Sequence, residues 1–531
     1  MLPVEEFTDA ERATLAQFVT DVDAPVFALV NLPETVKGAL FARYSRYPGT
    51  LRRLLLDEFA DDLPSDVAPK VSAEGKRASA LYDRIFLGYG DDSVAQLGGA
   101  HIACEWVSNI MTKILQRPRL GSYLEQSTRY IAYDQPVPDG GYRYYRNSEL
   151  GPSYEQAMDY LFDTYASLLP RVSAWAAEQF PAGLDESPAA HSRAIKAKAL
   201  DLVRGLLPAA SLSHMGIFAS GQTFESLILH LLAHPLPEAR NYGEMMLSAM
   251  KATMPSFVSR IEHPDRGGRW LAFLRRRTEE AGIIASRFGL DRDATHEGPS
   301  VRLVHVDGTE ELLLTALLFE ASDVGGDEIR RHVAQLSADE RTASIAALIG
   351  LRENRRHRPG RGFEALRYRF EIVSDYGAFR DLQRHRMLTV QWQTLSPHLG
   401  ASVPEEISAA GLTDDYRAAV TRSREAWRAL VEAGDSLHAP YALCLAYRVR
   451  YVLDLNAREA MHVVELRSGR EGHPSYRAIA HEMHRLIREV HPAVGDAMKY
   501  VDMTDEPRLE RILSEIRSES RRRLFAAEQG E

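Results

Sequence analysis

A short basic motif that occurs twice along the chain constrains the fold more than any other sequence feature. Its later copy, Arg384-His385-Arg386, follows a run from Phe370 to Gln383 in which apolar residues recur every third position. This spacing predicts an amphipathic helix that buries one face and presents two guanidiniums and an imidazole at its end. Taken alone, the triplet suits either an anionic ligand or a solvated helix end, where basic groups complement the helix dipole.

The earlier copy, Arg117-Pro118-Arg119, follows a comparable run from Leu97 to Ile114. Its apolar and small residues are spaced three and four apart, which again predicts a helix. A motif that recurs after the same kind of run indicates two related units in tandem.

Residues 117 to 130 continue as Arg-Pro-Arg-Leu-Gly-Ser-Tyr-Leu-Glu-Gln-Ser-Thr-Arg-Tyr. This sequence resembles the signature of the flavin-dependent thymidylate synthases, Arg-His-Arg-x-x-Ser-x-Asn-Glu-x-Ser-x-Arg-Tyr. Pro118 replaces the signature His, and Leu124 replaces its Asn. The matching residues are Arg117, Arg119, Ser122, Glu125, Ser127, Arg129 and Tyr130.

The later copy keeps the front of the signature as Arg384, His385 and Arg386, with Thr389 for the first Ser. The C-terminal part of the signature has changed in this copy. Gln391, Trp392, Ser396 and Pro397 stand in place of the signature Asn, Glu, Arg and Tyr.

Other elements of the family recur in both halves. Val203 to Pro208 resembles an Ala-Arg-x-x-Leu-Pro element whose arginine, here Arg204, reaches the nucleotide, and Pro440 stands at the matching place of the second half. A Glu-Ile-Arg element is similar to Glu238-Ala239-Arg240. In the second half, Asn456-Ala457-Arg458 matches an Asn-x-Arg pair of the family. Leu466-Arg467 matches the Leu-Arg element, whose arginine is replaced by His230 in the first half. Arg477 matches the arginine of the Glu-Ile-Arg element, with Ser475 in place of its Glu.

A flavin-contacting loop of the family falls at Gly88 to Val94, where Ser93 and Val94 are kept and Gln96-Leu97 replaces a Glu-His pair. The second half keeps the Glu of that pair as Glu364.

Composition restricts the class of protein. A chain of 531 residues exceeds the size of one hydrophobic core, so two or three domains are expected. No apolar run reaches about 18 residues and the N-terminus is acidic, which predicts a cytoplasmic protein without a membrane partner. A net charge of −10 argues against nucleic-acid binding, because such binding needs a basic face. The local arginines are therefore expected to bind something small.

The two cysteines, Cys104 and Cys444, both lie in apolar stretches. Two are too few for a disulfide framework or a multi-cysteine metal site, so each is predicted to be a buried, inert thiol and no metal is expected.

The order of predicted elements gives a helix-rich α/β (α+β) fold of two tandem thymidylate synthase-like repeats. Each half opens with a strand and a helix: Val26 to Val30 and Glu34 to Tyr44, then Val301 to Val306 and Glu310 to Ala321. Residues 150 to 265 are predicted as mostly helical, with helices at about 212 to 233 and 238 to 253. The expected domains are residues 1–265, a linker at 266–299, residues 300–505, and a charged helical tail at 506–531.

The resemblance implies the site residues and the reaction. FAD is implied as cofactor, with NADPH and methylenetetrahydrofolate as co-substrates, and reduced flavin delivers hydride while the folate supplies the one-carbon unit. The implied FAD-binding residues are Arg384, His385, Arg386, Asn456, Arg458, Arg117, Arg119 and Glu125. The implied deoxyuridylate-binding residues are Ser127, Arg129, Arg204, Arg240, Arg467 and Arg477, of which Arg467 and Arg129 are the catalytic candidates.

The two halves have lost different residues. The first keeps Ser127, Arg129 and Arg204, and the second keeps His385 and Arg467. Sites of the family form between the chains of a homotetramer, so the fused chain is expected to pair into a homodimer that reproduces four units.

Three functions fit this sequence. It is an active thymidylate synthase of the flavin-dependent type, or a flavin and nucleotide enzyme of the same scaffold with another pyrimidine substrate, or a non-catalytic nucleotide-binding relative. The first is the favoured function, and the replacements Pro118, Leu124, Gln391 and Trp392 suggest the second.

Overall fold

The computed structural model describes residues 3, 5–60, 63, 81, 93–137, 141–184, 186–290, 298–504 and 509–529. Its strands are β1 (Val26–Ala28), β2 (Gly99–Ser108), β3 (Gly121–Glu125), β4 (Leu212–Ser220), β5 (Ser300–Asp307), β6 (Arg367–Asp375), β7 (Thr389–Trp392) and β8 (Arg448–Asn456).

The helices of the described residues follow in chain order. They are α1 (Asp9–Phe18), α2 (Glu34–Tyr44), α3 (Leu51–Glu58), α4 (Asn109–Leu115), α5 (Gly151–Gln179), α6 (Pro188–Val203), α7 (Gly221–Ala233), α8 (Pro237–Thr253), α9 (Pro255–Val258), α10 (Arg269–Arg287), α11 (Glu310–Phe319), α12 (Gly326–Val333), α13 (Ala338–Ile349), α14 (Tyr376–Leu382), α15 (Glu405–Ala409), α16 (Thr413–Glu432), α17 (Ala457–Arg467), α18 (Pro474–Val490), α19 (Pro492–Ala497) and α20 (Ile512–Gln529). Short 3₁₀ turns include Arg204–Leu206 and Ala439–Ala442.

The strands form two antiparallel sheets with the same topology. The first has the order β1-β2-β4-β3, and the second has the order β5-β6-β8-β7. In the first sheet Ile102 pairs with Ile217, and in the second Phe370 pairs with Leu453. Two sheets of equal strand order, each supported by helices, confirm the predicted α/β fold of tandem repeats.

The chain folds into two compact units, and neither is a continuous stretch. Unit 1 comprises Met1–Ala166, Leu206–Ala294 and Ala418–Cys444, and contains the first sheet. Unit 2 comprises Ser167–Gly205, Thr295–Arg417 and Leu445–Glu531, and contains the second sheet. Each unit therefore takes one helical segment from the other repeat. Helix α6 and Arg204, from the first repeat, belong to unit 2.

Several predicted helices are instead a strand that runs directly into a helix. Phe370 to Gln383 comprises the end of β6 and then α14, and Leu97 to Ile114 comprises β2 and then α4. The predicted helix at 212 to 233 likewise begins with β4. In β6 the buried Tyr368, Phe370 and Ile372 alternate with more exposed residues, which is the period of a strand.

A capping side chain marks each of these three junctions, and also the junction between β8 and α17. Ser108, Ser220, Asp375 and Asn456 each accept a hydrogen bond from a backbone N–H of the helix that follows. Such a cap satisfies a donor that the helix leaves unpaired, so the strand ends and the helix begins within one residue.

The other element predictions have mixed outcomes. Strands β1 and β5 and helices α2 and α11 are confirmed. The predicted linker contains the 19-residue helix α10. Both cysteines are buried, as predicted. Gly88 to Asp92 lie outside the described residues. None of the helices in the described part of the chain is long and apolar enough to cross a membrane.

The two sheets differ in how they are covered. Strand β2 is buried from Ala100 to Ser108, and helices α1 to α3 form an apolar cluster against β1 and β2 that includes Leu15, Phe27 and Leu40. Burial of each such side chain stabilises unit 1 by about 1.5–3 kcal/mol. The second sheet carries ion pairs across one face, such as Arg369 with Asp454. Its opposite face holds the core of unit 2.

Candidate active site

Arg204 is the residue around which the candidate site of unit 2 is built. It follows α6, is 4% exposed, and its Nη1 donates to Oδ2 of Asp381 at 3.2 Å. Among the residues that the structure describes, its Nη2 is buried without a hydrogen-bond partner. A buried guanidinium N–H without an acceptor is costly, so this atom is a natural contact for an anionic ligand.

Asp381 lies on α14 between three arginines. Its Oδ1 is 3.8 Å from Nη1 of Arg384, and its charge also acts on Arg467. Burial lowers the pKa of Arg467, while Asp381 opposes that effect. All three guanidiniums stay charged at neutral pH. Asp381 is thus the shared counter-ion of Arg204 and Arg384, and guanidiniums are groups that bind anions.

Gly377 makes room for Arg204 on α14. A Cβ at this position would lie 3.1 Å from Nη2 and 3.2 Å from Nε of Arg204, and 2.9 Å from Oδ1 of Asp375. Asp375 is the cap of α14, so neither neighbour can move freely. Any larger residue at 377 would therefore displace the guanidinium.

His385 connects the arginines to α17. It is 7% exposed, and Nε of Arg467 donates to its Nε2 at 2.9 Å. Because Nε2 accepts, Nδ1 carries the proton and faces Oε1 of Glu459 at 3.4 Å. Nδ1 of His462 is also 3.4 Å from the Glu459 carboxylate.

Burial sets the charges of this group. It lowers the pKa of His385 to about 4, so the imidazole is neutral at physiological pH. Burial opposes ionisation of Glu459, but hydrogen bonds with His385 and His462 outweigh it and lower the pKa of Glu459 to about 2. The group is thus an ionised carboxylate that orients a neutral imidazole.

His385, Glu459 and His462 also have the spacing of a metal site, since their ligand atoms lie within 4.8 Å of one another. A metal at Nδ1 of His385 would require a proton on Nε2, where Arg467 already donates. Two facing N–H groups repel, so this arrangement favours a hydrogen-bond relay over metal coordination.

Asn456 and Arg458 position the start of α17. Oδ1 of Asn456 accepts from the backbone N–H of Glu459 at 2.9 Å, which fixes the first turn. Nε of Arg458 donates to the carbonyl of Pro359 at 2.9 Å, and its side chain is 32% exposed. Next to His385, Arg386 is exposed and Met387 is 70% exposed.

A cavity of about 1610 Å³ lies within unit 2 and is partly lined by Arg204. Gly205, Ser475 and Asp375 also line it. This volume exceeds the usual range of small-molecule pockets.

The counterparts of Ser475 and Arg204 in unit 1 belong to a different set of contacts. Glu238, the counterpart of Ser475, accepts from Tyr441 OH at 2.6 Å and from Ser108 Oγ at 2.7 Å. Tyr441 follows Pro440, the counterpart of Arg204. Unit 1 therefore holds a buried Tyr–Glu–Ser network next to the residue that matches Arg204.

The remaining predicted residues of the first repeat lie in unit 1. Glu125 is buried and paired with Lys113 at 2.9 Å. Ser127 and Arg129 lie in the turn after β3 and are partly buried, and the backbone N–H of Arg129 donates to Ser127 Oγ at 3.3 Å. Nη1 of Arg240 donates to the carbonyls of His234 and Pro235. Arg117 and Arg119 are exposed.

Arg477 of unit 2 contacts backbone. It donates to the carbonyls of Ser468 at 2.9 Å and Thr504 at 2.8 Å. These bonds fix the segment after α19, although the side chain also lines the cavity.

Sequence reasoning missed Asp381, Gly377, Glu459 and His462. A signal for two of them was present, because Glu459 and His462 follow Asn456 at the three-residue spacing that places side chains on one helix face. Asp381 lies one turn before Arg384, but inside a run that was interpreted by its apolar residues alone.

Known proteins resemble this chain in both halves. The family described as "Thymidylate synthase complementing protein" matches residues 52–256 and 309–493. A UPF0159 protein from Chlamydia muridarum is 37% identical over 531 residues, which cover 98% of this chain and 99% of the relative. A flavin-dependent thymidylate synthase from Geobacter sulfurreducens is 28% identical over 200 residues, which cover 36% of this chain and 83% of that protein.

Among solved structures, a UMP/dUMP methylase PolB from Streptomyces cacaoi, bound with 5-Br dUMP, is similar with a TM-score of 0.31 and 16% identity. The similarity covers 38% of this chain and 95% of that chain.

Proposed function

Because the chain belongs to the thymidylate synthase complementing protein family, we propose that it methylates C5 of a uracil nucleotide, with deoxyuridylate as substrate and FAD as cofactor. NADPH and methylenetetrahydrofolate are the proposed co-substrates. The observation that carries the proposal is the gathering of Arg204 from the first repeat with Arg384, His385 and Arg467 of the second in one unit. The resemblance to a flavin-dependent thymidylate synthase supports the same reaction class.

The arginines are the proposed phosphate and base contacts. Arg204 offers its buried Nη2, and a guanidinium binds phosphate oxygens with charge-assisted hydrogen bonds. Arg467 is held by His385 and by the ring of Tyr476, whose centre is 5.5 Å from the guanidinium carbon. A fixed positive charge of this kind stabilises negative charge that develops on the base during the reaction.

The residues around His385 fit FAD. A flavin dinucleotide needs cationic donors for its diphosphate and a partly apolar surface for its rings. Arg386 and Met387, the two residues after His385, are exposed and present such groups, and Arg458 lies on α17 one residue before Glu459. Bound FAD would supply the hydride once reduced. The neutral His385, oriented by Glu459, accepts the Arg467 hydrogen bond and keeps that arginine in place.

The proposed site lies in unit 2. In unit 1 Glu238, the counterpart of Ser475, is bonded to Tyr441, and the signature Glu125 is paired with the buried Lys113. Replacing Tyr441 or Lys113 would remove a hydrogen-bond donor from a buried carboxylate, which costs about 1–3 kcal/mol.

A second candidate reaction is modification of another pyrimidine nucleotide by the same cofactor. Trp392 stands in place of the signature Glu and packs on Phe379, with ring centres 5.5 Å apart. An aromatic ring at the end of β7 cannot accept the hydrogen bonds that the carboxylate of the signature Glu accepts. A ring that lies against the pyrimidine base would therefore select a nucleotide other than deoxyuridylate.

Tritium release from C5-labelled deoxyuridylate tests the reaction directly. The purified chain with FAD, NADPH and methylenetetrahydrofolate is expected to release tritium into water, because a methyl group replaces the C5 hydrogen. Flavin absorbance of the purified protein is measured alongside. Flavin binding without tritium release would favour the second reaction, and the absence of both would contradict the proposal.

A further inference from the structure

We propose that Asp381 is the resident anion of the arginine cluster formed by Arg204, Arg384 and Arg467, and that it determines which ligands the site accepts. This inference rests on the proposed nucleotide site and deepens it. Asp381 is not a contact for the substrate here; it occupies the place that an anionic ligand must take.

The geometry of Asp381 is that of a bound anion. Its two carboxylate oxygens face different arginines, Oδ2 towards Arg204 at 3.2 Å and Oδ1 towards Arg384 at 3.8 Å. The carboxylate is almost buried, with 10% of the side chain exposed. Neither distance is that of a tight bidentate pair, which lies near 2.7–2.9 Å. Asp381 therefore lies between the two arginines without forming a tight bidentate pair with either in these two contacts.

One nitrogen atom of the Arg204 guanidinium can still donate to an anion. Within the described residues Nη2 of Arg204 has no acceptor, although Nη1 of the same group is bonded to Asp381. Gly377 lets this guanidinium lie close to α14, because a Cβ there would be 3.1 Å from Nη2 and 2.9 Å from Oδ1 of Asp375. An anion that enters the site competes with Asp381 for the donors of Arg204.

This competition selects ligands by charge. Asp381 is attached to the site, so it competes at a high effective concentration with any free anion. A singly charged carboxylate gains nothing by replacing another carboxylate. A phosphate monoester carries between −1.5 and −2 at neutral pH and has three acceptor oxygens, so it interacts more strongly with the same arginines. The site is thus selective for phosphate monoesters over carboxylates and nucleosides.

A purely structural role for Asp381 predicts the opposite sign. If the carboxylate only held the arginines in place, its loss would disorder them and weaken anion binding. If it is the resident anion, its loss frees them and strengthens binding. The sign of the change in affinity separates the two roles.

The test is calorimetric titration of the full-length wild type and of Asp381→Asn with inorganic phosphate and with deoxyuridylate. Asn keeps the shape and one acceptor for Arg204 but removes the charge. We expect the affinity for both anions to rise roughly tenfold. In turnover assays the KM for deoxyuridylate is expected to fall. Asp381→Glu keeps the charge and is expected to bind both anions as weakly as the wild type.

Asp454→Asn is the matched control. Asp454 is likewise a buried carboxylate between two arginines of unit 2, with Arg367 and Arg369, but on the opposite face of the sheet. We expect no change in phosphate affinity for this variant. Unchanged or weaker binding by folded Asp381→Asn would overturn the inference.

The outcome is independent of the proposed reaction. Stronger phosphate binding by Asp381→Asn in a protein that releases no tritium would support the role of Asp381 and contradict the reaction. Tritium release by the wild type together with weaker phosphate binding by Asp381→Asn would support the reaction and contradict the role of Asp381.

Discussion

At the scale of single residues, burial determines what His385 can do. An exposed histidine is half protonated near pH 6.5, but this imidazole has a pKa of about 4 because it is buried beside Arg467. A neutral ring can accept the Arg467 hydrogen bond at Nε2, whereas a protonated ring would repel the guanidinium. The site therefore depends on His385 staying neutral.

The same shift predicts a loss of stability in acid. Between pH 6.5 and about 4 the unfolded chain binds a proton at residue 385 that the folded protein does not, so stability is full above pH 6.5 and decreases as the pH falls through this window. The expected contribution is about 2–3 kcal/mol by pH 4. Denaturant unfolding of wild type and His385→Asn at pH 7.5 and 4.5 measures it.

The variant isolates His385 because other buried histidines, such as His214, are present in both proteins. We expect the wild type to lose more stability than His385→Asn between the two pH values. Parallel losses would show that His385 does not titrate in this way.

At the scale of elements, the capped strand–helix junction is the recurring feature of both repeats. Sequence periodicity identified where β6 and α14 lie but joined them into one helix, because apolar positions of a strand and of the helix after it can share a period of about three. The caps Ser108 and Asp375 carry the missing information, since each has the side chain of an N-terminal cap just before the helix. The opening strands β1 and β5 were predicted correctly, because apolar and polar residues alternate in β5 and β1 is a short apolar run next to turn residues.

The cap of α17 gives a prediction at this scale. Asn456→Ala removes the acceptor for the N–H of Glu459, so it is expected to cost about 1 kcal/mol of stability and to loosen the carboxylate that orients His385. Asn456→Asp keeps the acceptor and is expected to restore most of the loss. Denaturation midpoints at constant m-value measure the difference, and equal midpoints for Ala and Asp would argue against a capping role.

At the scale of the whole molecule, the discontinuous units explain why the sequence alone left the site incomplete. The motifs showed that Arg204 is kept in the first repeat and replaced by Pro440 in the second. Linear order assigns Arg204 to the first half, yet it belongs to the unit of the second sheet. Such an exchange of segments depends on contacts between residues far apart in sequence, which local patterns do not encode.

The proposed assembly follows from the two repeats. From the resemblance of each repeat to one subunit of a homotetramer, we propose that the chain forms a homodimer with twice its mass of 59.5 kDa. Light scattering at micromolar concentration checks this, and a monomer mass would contradict it.

We propose that one nucleotide site per chain is built from Arg204 together with Arg384, His385 and Arg467. Calorimetric titration of the FAD-loaded protein with deoxyuridylate tests it most directly, using wild type, Arg204→Ala and the surface control Arg488→Ala, whose guanidinium pairs with Asp496 and is 62% exposed. We expect one nucleotide per chain, an affinity roughly ten- to a hundredfold weaker for Arg204→Ala, and no change for Arg488→Ala. Two nucleotides per chain, or equal affinity for wild type and Arg204→Ala, would contradict the claim.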